Sequence, residues 1–334
     1  MQEKNVIMNK YWSDNERFAD IMNVAMFHKS GLLSAEQLEE ADGYENAMVG
    51  KENKKKKGVE KYRDIIKKSI GKANFMILGI ENQSDIHYAM PVRIMGYDFL
   101  RYDKQLRKIK AEHRKKKDLS DAEFVSGFSK IDKLVPVCTL IIYSGEEPWD
   151  GPTRLSDILD TRELSEEMRC VLADYPIHVV DMLRFEDSEK LQTDARLLFG
   201  VLQRQGDESE IQKYRKENAD AFENVSEDTY EAIGVLTHSE QFLELKEKSK
   251  NEKGGYNMCK AFEDMEKRGE KRGEKRGKKL AEARFMDLIK AMTENGELEN
   301  IPKLATDRAF YEEMIRKYVL AQQLRIKTFR NKIH

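Results

Sequence analysis

Short apolar stretches alternate with long polar ones in this chain, and the period of the apolar positions changes along it. Phe18, Ile21, Met22 and Ala25 recur at helical spacing behind Asp14, a good N-cap residue, and predict a helix over residues 11–30. Residues 30–58 are polar and glycine-bearing, which predicts a short helix and then a basic loop. Tyr62-Arg63-Asp64-Ile65-Ile66 and the run from Phe75 to Gln83 read as two strands, over 60–68 and 74–83, with a turn at Gly71-Lys72-Ala73-Asn74. A long helix over 86–118 follows, starting near Met90-Pro91, because proline suits a first turn whose N–H needs no intrahelical partner. Val92, Met95, Phe99 and Leu106 mark its expected buried stripe. Leu134 to Tyr143 is a β-rich apolar run closed by Ser144-Gly145, which predicts a central strand buried on both faces. Ile177 to Met182 predicts a further strand, so residues 10–185 read as a mixed α/β core.

Beyond the core the pattern is helical. Residues 186–250 carry acidic and leucine-rich helical faces. Glu266-Lys267-Arg268-Gly269 then recurs as Glu270-Lys271-Arg272-Gly273 and Glu274-Lys275-Arg276-Gly277 within the segment 251–279. Glu to Lys or Arg at near-helical spacing adds a few tenths of a kcal/mol per pair, whereas each helical glycine costs nearly 1 kcal/mol. The two effects roughly cancel, which predicts a marginal, solvated helix or linker. Packing of two such helices at the glycine stripe, giving a homo-oligomer, is the alternative. Residues 280–334 close the chain with a small helical region whose apolar positions are Leu280, Phe285, Leu288, Ile289, Leu304, Phe310, Met314, Ile315 and Tyr318.

Composition narrows the class. The chain has 334 residues, 36% charged and 40% hydrophobic, enough for about two domains with one good core. No apolar run approaches the ~18–20 residues that span a bilayer, and Met1 to Asn5 opens no secretory signal, so no membrane association and a cytoplasmic setting are expected. Cys138, Cys170 and Cys259 are few and widely spaced, which points to neither a disulfide framework nor a zinc motif. The net charge is only −2, but basic residues cluster at Lys51, Lys54, Lys55, Lys56, Lys57 and Lys61 and again between Arg101 and Lys117. A basic face does not require a basic protein.

Candidate chemistry centres on the two predicted strands. Placed side by side, they bring Asp64 next to Glu81, and Gln83 faces the same way two residues on. Two carboxylates there can hold a hard divalent cation, Mg²⁺ with Mn²⁺ as a substitute, and such an ion activates water against a phosphodiester. The plainer alternatives are that Asp64 pairs with a surface cation and that Glu81 marks a strand end emerging into solvent. Arg93 and Tyr97, one helical turn apart, can face the site and touch phosphate, or else pair with an acid and pack in the core. Lys104, Arg107, Lys108 and Lys115 belong to a basic run suited to the DNA backbone, although a helix C-terminus also collects cations through its dipole. No phosphate-binding glycine loop, dinucleotide fingerprint, zinc-protease motif or serine-nucleophile elbow is present.

Asp64, the Ile80-Glu81-Asn82-Gln83 motif and the segment from Met90 to Asp98 resemble the Rpn family, the recombination-promoting nucleases or YhgA-like putative transposases of the PD-(D/E)XK superfamily. The strand from Pro136 to Gly145 is similar to that family's apolar strand ending in Tyr-x-Gly, and the Glu-Lys-Arg-Gly repeats are loosely similar to its charged tail. The resemblance covers about residues 12–185 and implies a restriction-endonuclease-like mixed sheet flanked by helices, Mg²⁺-dependent DNA cleavage and a link to DNA recombination. It implies Asp64 and Glu81 as metal ligands and Gln83 in place of the superfamily's lysine. Family members often carry His-Asp before the phenylalanine of the first helix; here Asn15 stands at the acid's position. Glu16, Asp14 or Asp20 can take its place, and Glu16 joins the candidate catalytic set.

Overall fold

A computed structural model describes residues 2–41, 44–49, 57–62, 65–69, 76–252 and 254–320. It divides into two compact units, Met1–Ala261 and Phe262–His334. The predicted turn at Gly71 to Asn74 and the lysine run from Lys51 to Lys56 lie outside the described residues.

The first unit opens with helices α1 (Gln2–Ser13) and α2 (Asn15–Ala25) where a single helix over 11–30 is expected. Asp14 divides them. Its backbone is extended, and its side chain accepts from the Arg17 backbone N–H at 3.0 Å, the geometry of an N-cap. Strands β1 (Leu38–Glu40) and β2 (Tyr44–Val49) follow, in a stretch expected to be helix and loop. Their hydrogen-bond partners lie elsewhere in the chain, so the local pattern carries little of their signal.

The expected strand over 60–68 is two strands in different sheets. Among the described residues, β3 (Lys57–Tyr62) pairs with β2, as an antiparallel two-stranded ribbon. β4 (Ile65–Ser69) enters the main sheet. The change follows composition: β3 is rich in charge, whereas β4 begins with the buried Ile65 and Ile66.

The main sheet has the order β1-β4-β5-β6-β7, with β5 (Met76–Gln83), β6 (Val137–Tyr143) and β7 (His178–Asp181). β1, β4 and β5 are antiparallel neighbours, while β5, β6 and β7 run parallel. The parallel step from β5 to β6 requires a crossover, supplied by α3 (Met90–Lys116). The register places Ile65 opposite Ile80 and Glu81 opposite Ile141. This is the mixed α/β sheet flanked by helices that the sequence predicts.

α3 packs on one face of the sheet through Met90, Ile94 and Tyr97, which meet Ile141 and Ile177. The expected stripe of Val92, Met95, Phe99 and Leu106 is not the buried one: Val92 is 44% and Phe99 60% exposed. The inward positions include Asp98 and Arg101, both buried. Asp98 accepts from Thr139 Oγ1 at 3.1 Å and from the Tyr175 hydroxyl. Polar side chains with buried partners face the sheet, so apolar spacing alone gives the wrong face.

The opposite face of the sheet carries α1 and α2. Lys67 is fully buried there, and its Nζ donates to Ser13 O at 2.7 Å, Asn15 Oδ1 at 2.6 Å and Glu40 Oε1 at 2.8 Å. Three acceptors match the three N–H donors of the ammonium, which makes so deep a lysine tolerable. β6 ends at Tyr143, whose hydroxyl donates to Glu147 O at 2.9 Å. A Cβ on Gly145 would lie 2.1 Å from that hydroxyl, so the ring requires glycine there.

Two short helices complete this part, α4 (Asp121–Ser126) before β6 and α5 (Glu166–Arg169) between β6 and β7. The predicted helical region follows as α6 (Ala195–Arg204), α7 (Glu208–Glu217), α8 (Ala219–Phe222), α9 (Glu227–Leu236), α10 (Glu240–Glu244) and α11 (Lys246–Ser249). It is bound to α2 by charge. Arg17 Nε and Nη2 donate to the two oxygens of Asp194 at 2.7 and 3.1 Å, and Nη2 also reaches Ser226 Oγ at 2.6 Å. Asp20 accepts from the backbone N–H groups of Gln192 and Thr193 at 2.8 and 2.7 Å.

α12 (Met258–Glu294) runs through the Glu-Lys-Arg-Gly repeats as one helix. In the second unit Leu288 and Met292 pack with Leu304 of α13 (Lys303–Thr306) and Met314 of α14 (Arg308–Met314). Gly296, at φ +77°, takes the left-handed conformation that ends α12. Leu280, expected in this core, is 60% exposed, whereas Phe285 is partly exposed with its ring 6.4 Å from that of Tyr311, which packs on the cluster.

Candidate active site

The side chains of β5 alternate between the two faces of the sheet, and Glu81 and Gln83 point to the α3 side. Glu81 does not emerge into solvent: its side chain is 2% exposed. Its Oε1 accepts from Arg93 Nη2 at 2.5 Å and from Gln83 Nε2 at 3.3 Å. Arg93 in turn donates from Nε to the Tyr97 hydroxyl at 3.2 Å, with its guanidinium 5.7 Å from the Tyr97 ring centroid. Tyr97 is buried against Ile141.

The arrangement follows from local structure. Pro91 at the head of α3 starts the helix just beyond the end of β5, and one turn of helix carries Arg93 back over Glu81 while Tyr97 supports it from below. Arg93 pairs with an acid and Tyr97 packs in the core, as the plainer alternative holds; the acid is the candidate ligand itself.

Asp64 lies outside the described residues. The described part of the register stops one residue short of it, at Ile65 opposite Ile80. Among the described residues no group of three or more His, Cys, Asp or Glu side chains is gathered as a metal site. By donor chemistry, the carboxylate of Glu81 and the amide oxygen of Gln83 suit a hard divalent cation, which takes oxygen ligands and needs only one or two protein carboxylates.

The structure does not bring Glu16 to Glu81. Glu16 is exposed in the first turn of α2, and that helix covers the opposite face of the sheet. Asp14 is spent on capping α2, and Asp20 on the backbone before α6. Asn15 stands between Lys67 and the backbone carbonyls of Ala35 and Leu38, which its Nδ2 meets at 3.2 Å each. An amide does this work because it donates to carbonyls with one atom and accepts from the ammonium with the other.

The candidate DNA-contacting residues divide along α3. Lys104 and Lys108 line a groove of about 610 Å³, together with Lys68, Arg101 and Lys133 and with two acids, Glu39 and Glu112. Arg93 and Lys104 are eleven residues apart, ~16 Å along the helix. Arg107 forms an i,i+4 ion pair with Asp103 at 3.1 Å, and Lys115 is exposed near the helix end.

Two parts of this site escape sequence reasoning. The Arg93–Glu81 pair joins residues twelve apart, a spacing no local pattern encodes. Lys68 and Lys133 read as ordinary surface lysines until β4 and the segment before β6 set them on one groove.

A family model described as a putative transposase, YhgA-like, matches residues 65–232, half of the chain. The match spans Glu81, Gln83, Arg93, the whole of α3 and the sheet from β4 to β7. No curated protein and no solved structure matches the chain. Among the described residues no helix is long and apolar enough to cross a membrane.

Proposed function

Because the chain belongs to the family of YhgA-like putative transposases, we propose that it is a Mg²⁺-dependent DNA endonuclease acting in DNA recombination or on mobile elements. The observation that carries this reading is the buried Glu81 carboxylate at the end of β5, with Gln83 beside it and a groove bearing Lys104 and Lys108 of α3. Glu81 and, in this proposal, Asp64 hold the ion, for which Mn²⁺ can substitute. The bound ion lowers the pKa of a water and offsets charge on the scissile phosphate.

The chain's own groups do the rest. Gln83 orients water by hydrogen bonding but supplies no charge, so the positive potential at the phosphate falls to Arg93. Lys104 and Lys108 hold the backbone away from the cut, a contact that carries affinity rather than base preference.

The test is plasmid cleavage with Mg²⁺, Mn²⁺, Ca²⁺ or EDTA, run beside Asp64→Ala and Glu81→Ala. Cutting that needs Mg²⁺ or Mn²⁺ and vanishes in both variants is expected. Metal-dependent cutting retained by either variant removes that residue from the site.

A second reading is a DNA-binding protein on a nuclease fold that no longer cuts. The engagement of Glu81 by Arg93 and the uncharged Gln83 favour it. It predicts salt-sensitive DNA binding by a folded protein that no divalent ion turns into cleavage.

A further inference from the structure

We propose that the acidic, apolar segment 155–172 of one copy docks into the basic, apolar groove between α3 and α4 of a second copy, and that two such exchanged contacts make a symmetric dimer. The inference does not depend on the cleavage reading.

The groove, of about 520 Å³, lies between the last turns of α3 and the short α4. Lys110, Arg114 and Lys117 line it on the helix side, and Leu119, Phe124 and Val125 supply apolar surface. Phe124 is 75% and Val125 90% exposed, adjacent residues left in water by a well-capped helix. Carboxylates of the same region are already engaged: Asp118 and Asp132 by His113, and Glu123 by Ser120 and Ser129. The groove therefore offers positive charge beside apolar surface, which suits an acidic, apolar polypeptide better than a bare phosphate backbone.

The chain carries such a polypeptide. Residues 155–172 hold five acids and two bases. Met168, Val171 and Leu172 fall at i, i+3 and i+4 in α5 and the turn after it, so they share one face, and all three are exposed, Val171 to 82%. A contiguous apolar face in water marks a contact surface, unlike scattered single residues. Asp157 is taken by the backbone N–H groups of Thr153 and Arg154, and Asp160 by Arg162. Glu163 and Glu166 remain exposed beside the apolar face.

The two surfaces match in charge and in apolar character, and both lie where β6 and β7 begin. Segment 155–172 is rooted beside β7: Leu155 N–H donates to Tyr175 O at 3.0 Å and Ile177 N–H to Thr153 O at 2.8 Å. α3 passes the start of β6, with Gln105 Nε2 donating to Val135 O at 3.1 Å, and its last turns continue beyond. A twofold axis near this end lets each copy give its segment and receive the other's, which closes the assembly at two chains.

Sedimentation velocity of the full chain tests this with charge-reversed variants, one in the groove (Lys110→Glu with Arg114→Glu) and one in the segment (Glu163→Lys with Glu166→Lys). Wild type is expected to dimerise at micromolar concentration, and each variant alone to pair ~10-fold or more weakly, because like charges then face each other. An equimolar mixture of the two variants is expected to recover the dimer, since reversed segment then meets reversed groove and native segment meets native groove. A wild type that stays monomeric, with groove reversal weakening DNA binding instead, overturns the proposal and gives the groove to nucleic acid. A dimer indifferent to both reversals, or a mixture that fails to pair, overturns it too. If circular dichroism shows a reversed variant unfolded, Val171→Asp carries the test, and pairing unchanged in that variant overturns the proposal.

Discussion

Arg93 Nη2 lies 2.5 Å from Glu81 Oε1, joining the head of α3 to the end of β5 across the candidate site. An ion pair of this depth is not a general gain in stability, since desolvation offsets most of its Coulomb energy. Losing one partner is different, because it strands a buried charge. Arg93→Ala is therefore expected to cost about 2 kcal/mol, below the ~3–5 kcal/mol of a fully buried pair because the arginine is partly solvated. Glu81→Ala in the Arg93→Ala background should cost less than in wild type. A double-mutant cycle by urea unfolding should return a coupling above about 1 kcal/mol, and additive costs would show that the pair does not form in solution.

Gly145 is set by the ring two residues before it. With a Cβ only 2.1 Å from the Tyr143 hydroxyl, Gly145→Ala must displace a buried tyrosine that packs edge-on against Trp149. Burial and the nearby Asp181 raise the Tyr143 pKa, so the phenol stays neutral and donates to Glu147 O. The substitution should cost about 1–3 kcal/mol, the range for overpacking a close-packed site. Tyr143→Phe, which removes the clashing oxygen, should restore part of that loss in the double variant. Equal stability of Gly145→Ala and wild type in chemical denaturation would contradict the contact.

The parts of the fold that sequence reading finds are those with local signals. Asp14 caps α2, Pro91 opens α3, and the apolar runs of β5 and β6 appear close to where they are expected, because capping, proline geometry and burial act within a few residues. The parts it misses depend on distant partners. Lys67 looks like a solvated strand residue, yet Ser13, Asn15 and Glu40 together let it be fully buried. Asp98 and Arg101 turn α3 to a face that apolar spacing does not choose, since Thr139 and Tyr175 wait for Asp98 on the sheet side. At the candidate site Glu81 and Gln83 are visible in sequence as a strand-end motif. Their link to Arg93 is not, and neither is the placing of Glu16 on the far face.

Arg17 ties α2 to the helices after β7, and its removal should be felt across the first unit. It contacts Asp194, Ser226 and Asp228 and lies over the Tyr11 ring at 4.4 Å from the centroid. Burial alone would raise the Asp194 pKa, but hydrogen bonds from Arg17 and Thr229 outweigh it and hold the carboxyl below its ordinary value. The stability from Asp194 is thus present above the unfolded carboxylate value and is lost as pH falls through the lower folded one. Arg17→Ala should cost about 3 kcal/mol. Lys10→Ala, which removes a mostly exposed ion pair to Asp228 at 2.8 Å, should cost no more than about 0.5 kcal/mol. Thermal melts of both variants rank the two, and a Lys10 effect as large as that of Arg17 would refute the ranking.

His113, near the end of α3, is held between two carboxylates. Nδ1 meets Asp118 Oδ1 at 2.6 Å, and Nε2 meets Asp132 Oδ2 at 2.8 Å. Only the imidazolium has an N–H for each of them; a neutral ring must leave one contact without a proton. Hydrogen bonds to Asp118 and then Asp132 raise the His113 pKa above its ordinary 6.5. The hydrogen bond from His113 lowers that of Asp118 below 3.8, while Asp132 is lowered first by the Ser129 backbone N–H and then by His113. The signs set the window. The histidine's contribution is complete below pH 6.5 and disappears as pH rises through its higher folded value. The carboxylates' contribution is complete above 3.8 and disappears as pH falls through their lower folded values. The link between α3 and residues 118–132 should therefore be firmest from about pH 4 to 6.5 and loosen on the alkaline side. Hydrogen exchange across residues 118–132 should quicken, after correction for intrinsic rates, between pH 6 and 9 in wild type. In His113→Gln it should be faster at pH 6 and lack that step. A wild-type profile without the step would place the proton elsewhere.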